Sequence, residues 1–370
     1  MNNLHGIIFA YGETPDLREL SRPRNSCSLP YGGRFRLSDF TLSSLVNAGV
    51  TDMGIIVHSS YQSLLDHVGA GKDWDLARKN GGLRILPPFG YAGKRQGGVY
   101  RGRMDALAGV YTYLDGIKQD YVVLADGDLA ANLPIADIFA EHLRSGADIT
   151  AVCTDRSASD PQLSHYFTPD QHGWVTEIAF RPFAPSGYES LEVYILSKNL
   201  LMSMVDYAVA HNVSSFGDVL IDMRGRVRIS TCLYKGYAAR IHSVNNYFQR
   251  SMELLDPQVR ASLVQDGRPI RTKEQSSPAT KLSAEAKVTN SLIADGCIVE
   301  GTVVNSILAR GVHVAKGATV ENCILLQHTE VEEGSALKYT ITDKYVRICT
   351  GRTLMGHETY PMVIPRREII

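Results

Sequence analysis

The sequence lacks the features that mark a secreted, membrane-embedded or nucleic-acid-binding protein. Its 370 residues include six scattered cysteines without a CxxC pair, which predicts reduced thiols inside the cell. The formal net charge is −1, which gives no electrostatic reason for binding nucleic acid or an anionic membrane. The opening residues carry no basic segment, the apolar run after them is too short for a secretion signal, and no stretch approaches a membrane span. We therefore expect a cytoplasmic protein.

The first 250 residues alternate between short apolar strands and helical patterns. Strands are predicted at residues 5–10, 53–57 and 121–125, with helical periodicity between them. This alternation predicts a Rossmann-like α/β domain with a mixed or mainly parallel sheet that is covered on both faces. Ligands of such folds bind at the carboxyl ends of the strands. The loops after Ala10 and Ala125 are therefore the candidate site.

Beyond residue 250 the pattern changes twice. Residues 251–283 show no hydrophobic period, are rich in turn-forming residues toward their end, and are predicted to be a linker. In residues 284–370, short apolar strands begin with Asn290, Asn305 and Asn322, at spacings of 15 and 17 residues. Such repeats predict a left-handed parallel β-helix of hexapeptide repeats, in which each coil stacks its apolar positions on the next. An unrelated β-sandwich is the alternative.

Several segments carry a resemblance to one family. Residues 30–40, PYGGRFRLSDF, resemble PFGGKYRIIDF, and residues 67–76, HVGAGKDWDL, resemble HIGxGxPWDL. Residues 100–106, YRGRMDA, resemble YRGTADA and place Gly102 and Asp105 in the expected pocket. These patterns are those of bacterial ADP-glucose pyrophosphorylases, and the resemblance covers nearly the whole chain. It implies a GT-A-like nucleotidyltransferase domain over residues 1–250.

The same resemblance implies a reaction and a set of requirements. Members of the family join ATP and glucose 1-phosphate to give ADP-glucose and pyrophosphate by in-line attack on the α-phosphorus. That chemistry needs backbone N–H groups and cations on the triphosphate, and Mg²⁺ held by carboxylates. Each requirement has a position in this sequence.

The triphosphate loop of the family, AGGxGxRLxPL, is poorly preserved. Gly12 is kept, but Tyr11 and Thr14 stand at the other glycine positions, where glycine allows close approach to phosphate. Asp16 replaces the loop arginine, so an attraction of about 4 kcal/mol at 4 Å becomes a repulsion. We expect bound ATP to be disfavoured.

A second cation of the family is also missing. The lysine of KPAVP falls on Ser26. Arg22 and Arg24 lie close by in sequence and are candidates to replace part of its charge or to contact an effector, although an arginine fork does not reproduce a point ammonium.

The metal site is altered as well. Asp126-Gly-Asp128 resembles SGDH, and Asp128 falls on the aspartate that the resemblance assigns to catalysis. In the segment that resembles YWRDVGTI, Arg240 stands at the second aspartate. A guanidinium is not a Mg²⁺ ligand, so we predict no cofactor, with Mg²⁺ binding lost or weak. We hypothesise that Arg240 pairs with Asp128 and replaces the ion's charge.

The sugar side of the pocket is reshaped. Arg181 replaces the lysine of FVEKP, and in the segment that resembles SMGIY, Glu192 replaces the glycine while Tyr194 is kept. A phosphate-bearing ligand could still meet Arg181.

Five departures in one site predict a non-catalytic, regulatory member of the family. The resemblance implies a hetero-oligomer, expected to be a heterotetramer, with a catalytic ADP-glucose pyrophosphorylase subunit. A homo-oligomer in the partner's absence and a retained sugar-phosphate or nucleotide ligand stay open. Three alternatives remain: an active enzyme with a shifted site near Asp105, a free-standing sugar-phosphate sensor, and a hexapeptide acyltransferase with His313, His328 or His357 as its base.

Overall fold

The computed structural model describes residues 3–10, 15–88, 100–155, 164–180 and 187–370. They form two compact units. The first comprises the described residues within Met1–Gly12, Ser38–Arg240 and Val264–Arg271, and the second those within Glu13–Leu37, Ile241–Leu263 and Thr272–Ile370. Among the described helices, none combines the length and the apolar character of a membrane-crossing segment.

Strands and helices alternate through the first 263 residues. The strands are β1 (Leu4–Ala10), β2 (Pro30–Tyr31), β3 (Phe35–Arg36), β4 (Asp52–Val57), β5 (Gly82–Leu86), β6 (Tyr121–Asp126), β7 (Leu129–Ala131), β8 (Ile149–Thr154), β9 (His165–Pro169), β10 (Val175–Phe180), β11 (Tyr188–Ser197), β12 (Ile229–Leu233) and β13 (Ala238–Arg240). The helices are α1 (Leu37–Asn47), α2 (Gln62–Val68), α3 (Arg103–Gly109), α4 (Tyr111–Asp115), α5 (Ile135–Ser145), α6 (Lys198–His211), α7 (Phe216–Met223), α8 (Val244–Met252) and α9 (Pro257–Leu263). Short 3₁₀ turns lie at Pro15–Leu20, Ser26–Ser28, Lys72–Trp74 and Glu253–Leu255.

One mixed sheet forms the centre of the first unit. Its main path runs β10-β9-β11-β6-β1-β4-β5, and β8 pairs with both β11 and β12. β1 lies parallel between β6 and β4, β5 continues parallel beyond β4, and β11 is antiparallel to β6 and β8. All seven residues of β1 are buried, as expected for a central strand with both faces covered.

The two faces of β1 show how that covering arises. Ile7 and Phe9 point to one side and join a core that includes Met104 of α3. On the other side, Gly6 lies so close to Leu45 of α1 that an added Cβ would sit 3.0 Å from its Cδ1. Helices therefore cover both faces, and the predicted α/β architecture is confirmed.

The predicted linker and domain bounds differ from the structure. Within residues 251–283, Glu253–Leu255 and α9 are helical, and Leu254 and Leu263 are buried in the second unit. The Asp256 side chain caps α9 by accepting a 2.8 Å hydrogen bond from the backbone N–H of Gln258. The expected boundary at residue 250 is also displaced, because the described residues within 13–37 and 241–263 cluster with the coils and Val264–Arg271 with the sheet.

Val264–Arg271 is held in the first unit by hydrogen bonds to its backbone. The Asn132 side chain donates to the Arg268 carbonyl at 2.8 Å, and the Asn47 side chain donates to the Pro269 carbonyl at 3.1 Å. A segment without hydrophobic periodicity is thus ordered through its peptide groups instead of its side chains.

The second unit contains the predicted left-handed parallel β-helix. Fifteen short strands form three five-stranded parallel sheets, ordered β14-β17-β20-β23-β26, β15-β18-β21-β24-β27 and β16-β19-β22-β25-β28. Valine, leucine and isoleucine side chains from successive coils fill the interior. The strands are β14 (Lys281–Leu282), β15 (Lys287–Thr289), β16 (Leu292–Ile293), β17 (Ile298–Val299), β18 (Thr302–Val304), β19 (Ile307–Leu308), β20 (His313–Val314), β21 (Thr319–Glu321), β22 (Ile324–Leu325), β23 (Glu330–Val331), β24 (Ala336–Lys338), β25 (Thr340–Thr342), β26 (Arg347–Ile348), β27 (Thr353–Met355) and β28 (Met362–Ile364).

The repeated asparagines mark one corner of the coils. Asn290, Asn305 and Asn322 adopt φ values of 42°, 45° and 51°, and Tyr339 occupies the same corner of the next coil with φ of 48°. Asparagine tolerates this left-handed conformation better than most residues. The side chain of Asn290 also donates to that of Asn305 at 2.9 Å. The repeat in the sequence therefore reports the corner geometry directly.

Candidate functional site

The expected carboxyl edge of the sheet carries a cluster of charged side chains. Asp126 is the last residue of β6, and β6 lies beside β1, as the position of the candidate site required. Its neighbour Gly127 donates its backbone N–H to the Phe9 carbonyl at 2.9 Å, which ties the turn to β1. Asp126 is buried, so its carboxylate needs internal partners.

Two arginines share that carboxylate. Arg240, at the end of β13, places Nη2 2.7 Å from Asp126 Oδ2. Arg103, the first residue of α3, places its Nη2 2.6 Å from the same oxygen. Charge-assisted hydrogen bonds of this length are the strong ones.

The cluster extends through Arg103 to a second carboxylate. Nη1 of Arg103 lies 2.7 Å from Oε2 of Glu192, and Nδ1 of His165 lies 2.7 Å from its Oε1. Glu192 is nearly inaccessible to solvent. Asp126, Arg103, Glu192, His165 and Arg240 thus form a continuous ionic cluster inside the first unit.

The hypothesis that Arg240 pairs with Asp128 is wrong, because Arg240 pairs with Asp126. β13 pairs antiparallel with β7, and its register sets Arg240 opposite Leu129. From that position the long side chain reaches the end of β6 and meets Asp126. Asp128 acts on Arg240 only through space, and together with Asp126 and Glu192 it keeps the Arg240 pKa high against the effect of burial. Arg240 thus pairs with an aspartate of this turn, but the partner is Asp126 instead of Asp128.

Glu192 occupies a backbone position suited to glycine. Its φ is 58°, in a bulge of β11 where the register with β8 shifts between Ser190 and Val193. The Ser190 hydroxyl accepts the Glu192 N–H at 2.9 Å and supports this conformation. A side chain here costs roughly 1–2 kcal/mol of backbone strain. Glu192 thus stands at a left-handed backbone position where the SMGIY pattern has glycine.

The electrostatics of the two buried carboxylates differ. Burial would raise the pKa of Glu192, but Arg103 and His165 together outweigh it and hold that pKa well below its usual range. For Asp126, burial is the largest effect and raises the pKa to about 6, although Arg103 and Arg240 both pull it down. At neutral pH both carboxylates are ionised and face two guanidinium groups.

This arrangement does not fit Mg²⁺. The ion takes oxygen ligands in near-octahedral geometry, whereas Oδ2 of Asp126 already accepts hydrogen bonds from two arginines. The guanidinium groups also supply the positive charge that the ion would bring. Across the part of the chain that the structure describes, no group of three or more His, Cys, Asp or Glu side chains has the geometry of a metal site.

The contacts of Gly102, Asp105 and Tyr194 give each of these predicted pocket residues a structural role. An added Cβ on Gly102 would sit 2.4 Å from the Ser214 carbonyl oxygen, so that residue must be glycine for packing reasons. Asp105 lies in the first turn of α3 and pairs with Arg101 at 2.8 Å. The buried hydroxyl of Tyr194 lies 3.0 Å from that of Ser190 and 3.3 Å from Glu192 Oε2, which links it to the cluster.

The remaining predicted residues of the triphosphate side belong to the second unit. Asp16 is exposed, Ser26 is buried, and Arg22 is exposed with Nη2 3.8 Å from Glu19. Arg24 does not fit the expected role of a phosphate or effector cation, because its buried Nη2 lies 2.8 and 2.9 Å from the two carboxylate oxygens of Asp343. Four predicted site residues lie outside the described residues: Tyr11, Gly12, Thr14 and Arg181.

The three candidate base histidines of the acyltransferase alternative sit in separate surroundings. His313 lies 3.3 Å from Glu300, His328 stacks on Tyr345, and His357 contacts the Thr359 hydroxyl. No observation groups them into one site.

A family profile described as Nucleotidyl transferase matches residues 5–222. The chain belongs to the nucleotidyl transferase family. A second profile, described as GlmU-like, C-terminal hexapeptide, matches residues 278–359 within the β-helix unit.

Curated relatives place the chain more closely within the nucleotidyl transferases. Glycogen biosynthesis protein GlgD of Bacillus subtilis (strain 168) is 32% identical over 364 residues, which cover 98% of this chain and 96% of the relative. Glycogen biosynthesis protein GlgD of Geobacillus stearothermophilus is 34% identical over 324 residues, covering 86% and 83%. Glucose-1-phosphate adenylyltransferase of the same organism is 31% identical over 324 residues, covering 85% and 82%. The chain is a GlgD-type member of the nucleotidyl transferase family.

The sequence did not lead us to two residues of the ionic cluster, Arg103 and His165. Arg103 had a signal, because YRGRMDA places an arginine where YRGTADA has threonine. His165 had none in its own segment. Its ring does explain Gly217, where an added Cβ would clash with His165 Nε2. Relative to the quoted patterns, Arg103 and Arg240 add positive charge, and Glu192 adds a negative charge that pairs with Arg103.

Proposed function

We propose that the chain is a regulatory, catalytically impaired subunit of ADP-glucose pyrophosphorylase in glycogen biosynthesis. It associates with the catalytic subunit, which makes ADP-glucose from ATP and glucose 1-phosphate, and it activates that subunit. The observation that carries the proposal is the guanidinium of Arg240 on Asp126, at the sheet edge where the family's chemistry needs metal-binding carboxylates.

Electrostatics supports the loss of turnover. A divalent cation 4 Å from one guanidinium is repelled by about 8 kcal/mol at an effective dielectric constant near 20, and two guanidinium groups line this cluster. Without a metal on the triphosphate, the charge that develops during attack on the α-phosphorus has no partner. Arg103 and Arg240 instead pair with Asp126, and Arg103 also pairs with Glu192.

The relatives support a role beside a catalytic subunit. Geobacillus stearothermophilus has both a protein named Glycogen biosynthesis protein GlgD and one named Glucose-1-phosphate adenylyltransferase, and this chain resembles both. A chain that keeps the fold and loses the site can still act by binding the more active state of its partner better than the less active state.

The test is pyrophosphate release from ATP and glucose 1-phosphate. This chain alone, the catalytic pyrophosphorylase of the same cell alone, and the two mixed are assayed with Mg²⁺ over a range of chain ratios. We expect no turnover from this chain and a raised rate or altered effector response in the mixture. Robust turnover by this chain alone would support an active enzyme with a shifted site. No turnover and no effect on the partner would favour a free-standing sensor.

A reversion variant isolates the ionic cluster. Arg103→Thr, Glu192→Gly and Arg240→Asp together restore the residues of the family patterns, and Arg22→Ala is an exposed control. We expect Mg²⁺ to raise the unfolding midpoint of the triple variant only, because a ligand stabilises the folded state in proportion to its occupancy. An equal response of the unmodified chain would contradict the proposed loss of the metal site.

A further inference from the structure

The backbone of Arg18, in the second unit, is strained. Arg18 interrupts the 3₁₀ turn Pro15–Leu20 with φ of 47° and ψ of −121°. This combination lies in the mirror image of the β region, which glycine enters freely and residues with a Cβ rarely adopt. The chain itself uses glycine for nearly the same conformation at Gly69, where φ is 51° and ψ is −128°. An arginine in this conformation persists only where its surroundings offset the strain.

The side chain of Arg18 makes two contacts with a single residue, Tyr360. Its Nη1 donates a hydrogen bond to the Tyr360 hydroxyl at 2.7 Å, and its Cζ lies 4.9 Å from the centroid of the Tyr360 ring. Both residues belong to the second unit. Arg18 is exposed, so water would also solvate its guanidinium if the side chain turned away. Burial therefore does not force the strained backbone, whereas the contacts with Tyr360 favour it.

Tyr360 is held by a tight turn in the last coil of the β-helix. The N–H of His357 donates to the Tyr360 carbonyl at 3.1 Å, and the N–H of Tyr360 donates to the His357 carbonyl at 3.0 Å. Within the turn, Nδ1 of His357 accepts the Thr359 N–H at 3.2 Å. Gly356 precedes the turn and leaves no room for a Cβ, which would sit 2.3 Å from the Tyr339 carbonyl oxygen. The backbone that carries the Tyr360 ring is thus fixed, although 63% of the residue is exposed.

The neighbours of Arg18 are anchored, so a change at Arg18 can stay local. Leu17 and Leu20 are fully buried and hold the turn on both sides. The Arg18 carbonyl accepts hydrogen bonds from the Ser21 N–H at 3.2 Å and from the Ser21 hydroxyl at 3.0 Å. A move of the Arg18 dihedral angles to an unstrained region would redirect its side chain and its carbonyl relative to these anchors. The bonds from Ser21 would then break while the two leucines remain in place.

Strain and contact oppose each other with similar strength. A hydrogen bond to an exposed guanidinium and an exposed cation–π contact each stabilise modestly, and together they are comparable to the cost of one strained residue. The observed arrangement of Arg18 is therefore only marginally favoured. In such a balance, a small change at either end shifts the populations of two local states.

We propose that Arg18 and Tyr360 form a releasable latch between the turn Pro15–Leu20 and the last coil of the β-helix. With the latch closed, Arg18 keeps its strained backbone and its carbonyl holds Ser21. With the latch open, the backbone relaxes and the Ser21 amide loses its acceptor. Residues 15–20 align with the second half of the triphosphate-loop pattern, so the latch makes the conformation of that segment depend on the Tyr360 turn. This device concerns the conformations of this chain alone and does not depend on the proposed regulatory function.

Hydrogen exchange of the Ser21 amide in the full chain tests the latch. Tyr360→Ala removes both contacts to Arg18 and should speed exchange at Ser21 about tenfold, because local opening becomes more frequent. The matched control is Met355→Ala, which truncates a side chain of the same coil that is 64% exposed, and it should change this exchange by less than about twofold. Unchanged exchange at Ser21 in Tyr360→Ala would overturn the proposal.

A second background separates the latch from a general loosening of the coil. Arg18→Gly adopts the same dihedral angles without strain and offers no side chain to Tyr360. In this background, Tyr360→Ala should change exchange at Ser21 by less than about twofold, because the latch is already absent. If Tyr360→Ala still speeds the exchange about tenfold in the Arg18→Gly chain, the tyrosine acts by a route that does not involve Arg18, and the latch is refuted.

Discussion

Arg240 pairs with the buried carboxylate of Asp126, and its removal should destabilise the protein. In Arg240→Ala, Asp126 keeps one guanidinium partner and remains buried. Breaking a buried ion pair typically costs about 3 kcal/mol or more, so we expect a loss of about 3 kcal/mol in the free energy of unfolding. Urea unfolding followed by circular dichroism measures it. The exposed Arg22→Ala should change stability by less than about 0.5 kcal/mol, and an equally small change in Arg240→Ala would contradict the role assigned here.

Glu192 combines a useful charge with an unfavourable backbone, and two variants separate these effects. Glu192→Ala and Glu192→Gly both remove the carboxylate from Arg103 and His165, so both should be destabilised. The glycine variant should be more stable than the alanine variant by about 1 kcal/mol, because φ of 58° strains only the residue with a Cβ. Parallel urea titrations give the difference, and two equal midpoints would show that no strain is stored there.

His5 should make the stability of the first unit depend on pH. Its folded pKa of about 4 lies below the ordinary histidine value near 6.5, because burial disfavours the charged ring. Between these values the unfolded chain binds a proton that the folded chain does not. Stability from this group is therefore complete above pH 6.5 and falls as pH drops toward 4, by about 3 kcal/mol in full. His5→Gln should flatten this part of the pH profile of the unfolding midpoint, whereas the exposed His172→Gln should leave it unchanged.

The sequence identified which of these side chains were unusual but not how they meet. Arg240 and Glu192 stood out because they replace residues of known patterns. The choice of Asp126 over Asp128 depends on the register of β13 on β7, which no local signal encodes. Arg103 was overlooked because its neighbours Gly102 and Asp105 match their pattern so well.

The corner asparagines of the β-helix test how a repeated element is stabilised. In Asn305→Ala, the left-handed φ of 45° becomes strained and the hydrogen bond from Asn290 is lost. We expect a cost of about 2 kcal/mol, divided between strain and the hydrogen bond. Asn305→Gly keeps the backbone conformation and should lose only about half as much. The unfolding midpoints of the two variants measure these losses. Equal losses would assign the whole effect to the hydrogen bond between the side chains of Asn290 and Asn305.

Elements with a strong hydrophobic period could be predicted from the sequence. Elements held by hydrogen bonds to their backbone could not. The coils follow from recurrent Asn and apolar positions. Helix α9 was missed within the expected linker, although Asp256-Pro257 is a helix-start signal that could have revealed it. Val264–Arg271 offers no comparable signal, because the side chains of Asn47 and Asn132 hold its backbone from distant positions.

For the complete chain, the proposed function predicts assembly with a partner. Mixing it with the catalytic pyrophosphorylase of the same cell should give a particle heavier than either protein alone. Size-exclusion chromatography with light scattering measures its mass and the ratio of the two chains. Arg22→Ala should leave the mass unchanged, and two separately eluting proteins at micromolar concentration would contradict the proposed association.

Domain boundaries drawn along the sequence could not foresee how the whole chain divides. The described residues within 13–37 and 241–263 cluster with the coils although both ranges flank segments of the sheet unit. Within the second unit, the Tyr31 hydroxyl donates to the Arg250 carbonyl at 2.8 Å and that of Tyr247 donates to the Pro30 carbonyl at 2.8 Å. Contacts between residues more than 200 positions apart leave no trace in local composition.

The left-handed corners of the β-helix also limit how the protein can change in length. Corners at Asn305, Asn322 and Tyr339 recur every 17 residues, and each coil pairs in register with the next. Deleting residues 306–322 would join Asn305 to Cys323 and bring equivalent corners together, so a complete coil is removable in principle. Deleting one residue would instead turn every following apolar side chain to the wrong face of its strand. We therefore expect the β-helix to tolerate insertions and deletions only in whole coils.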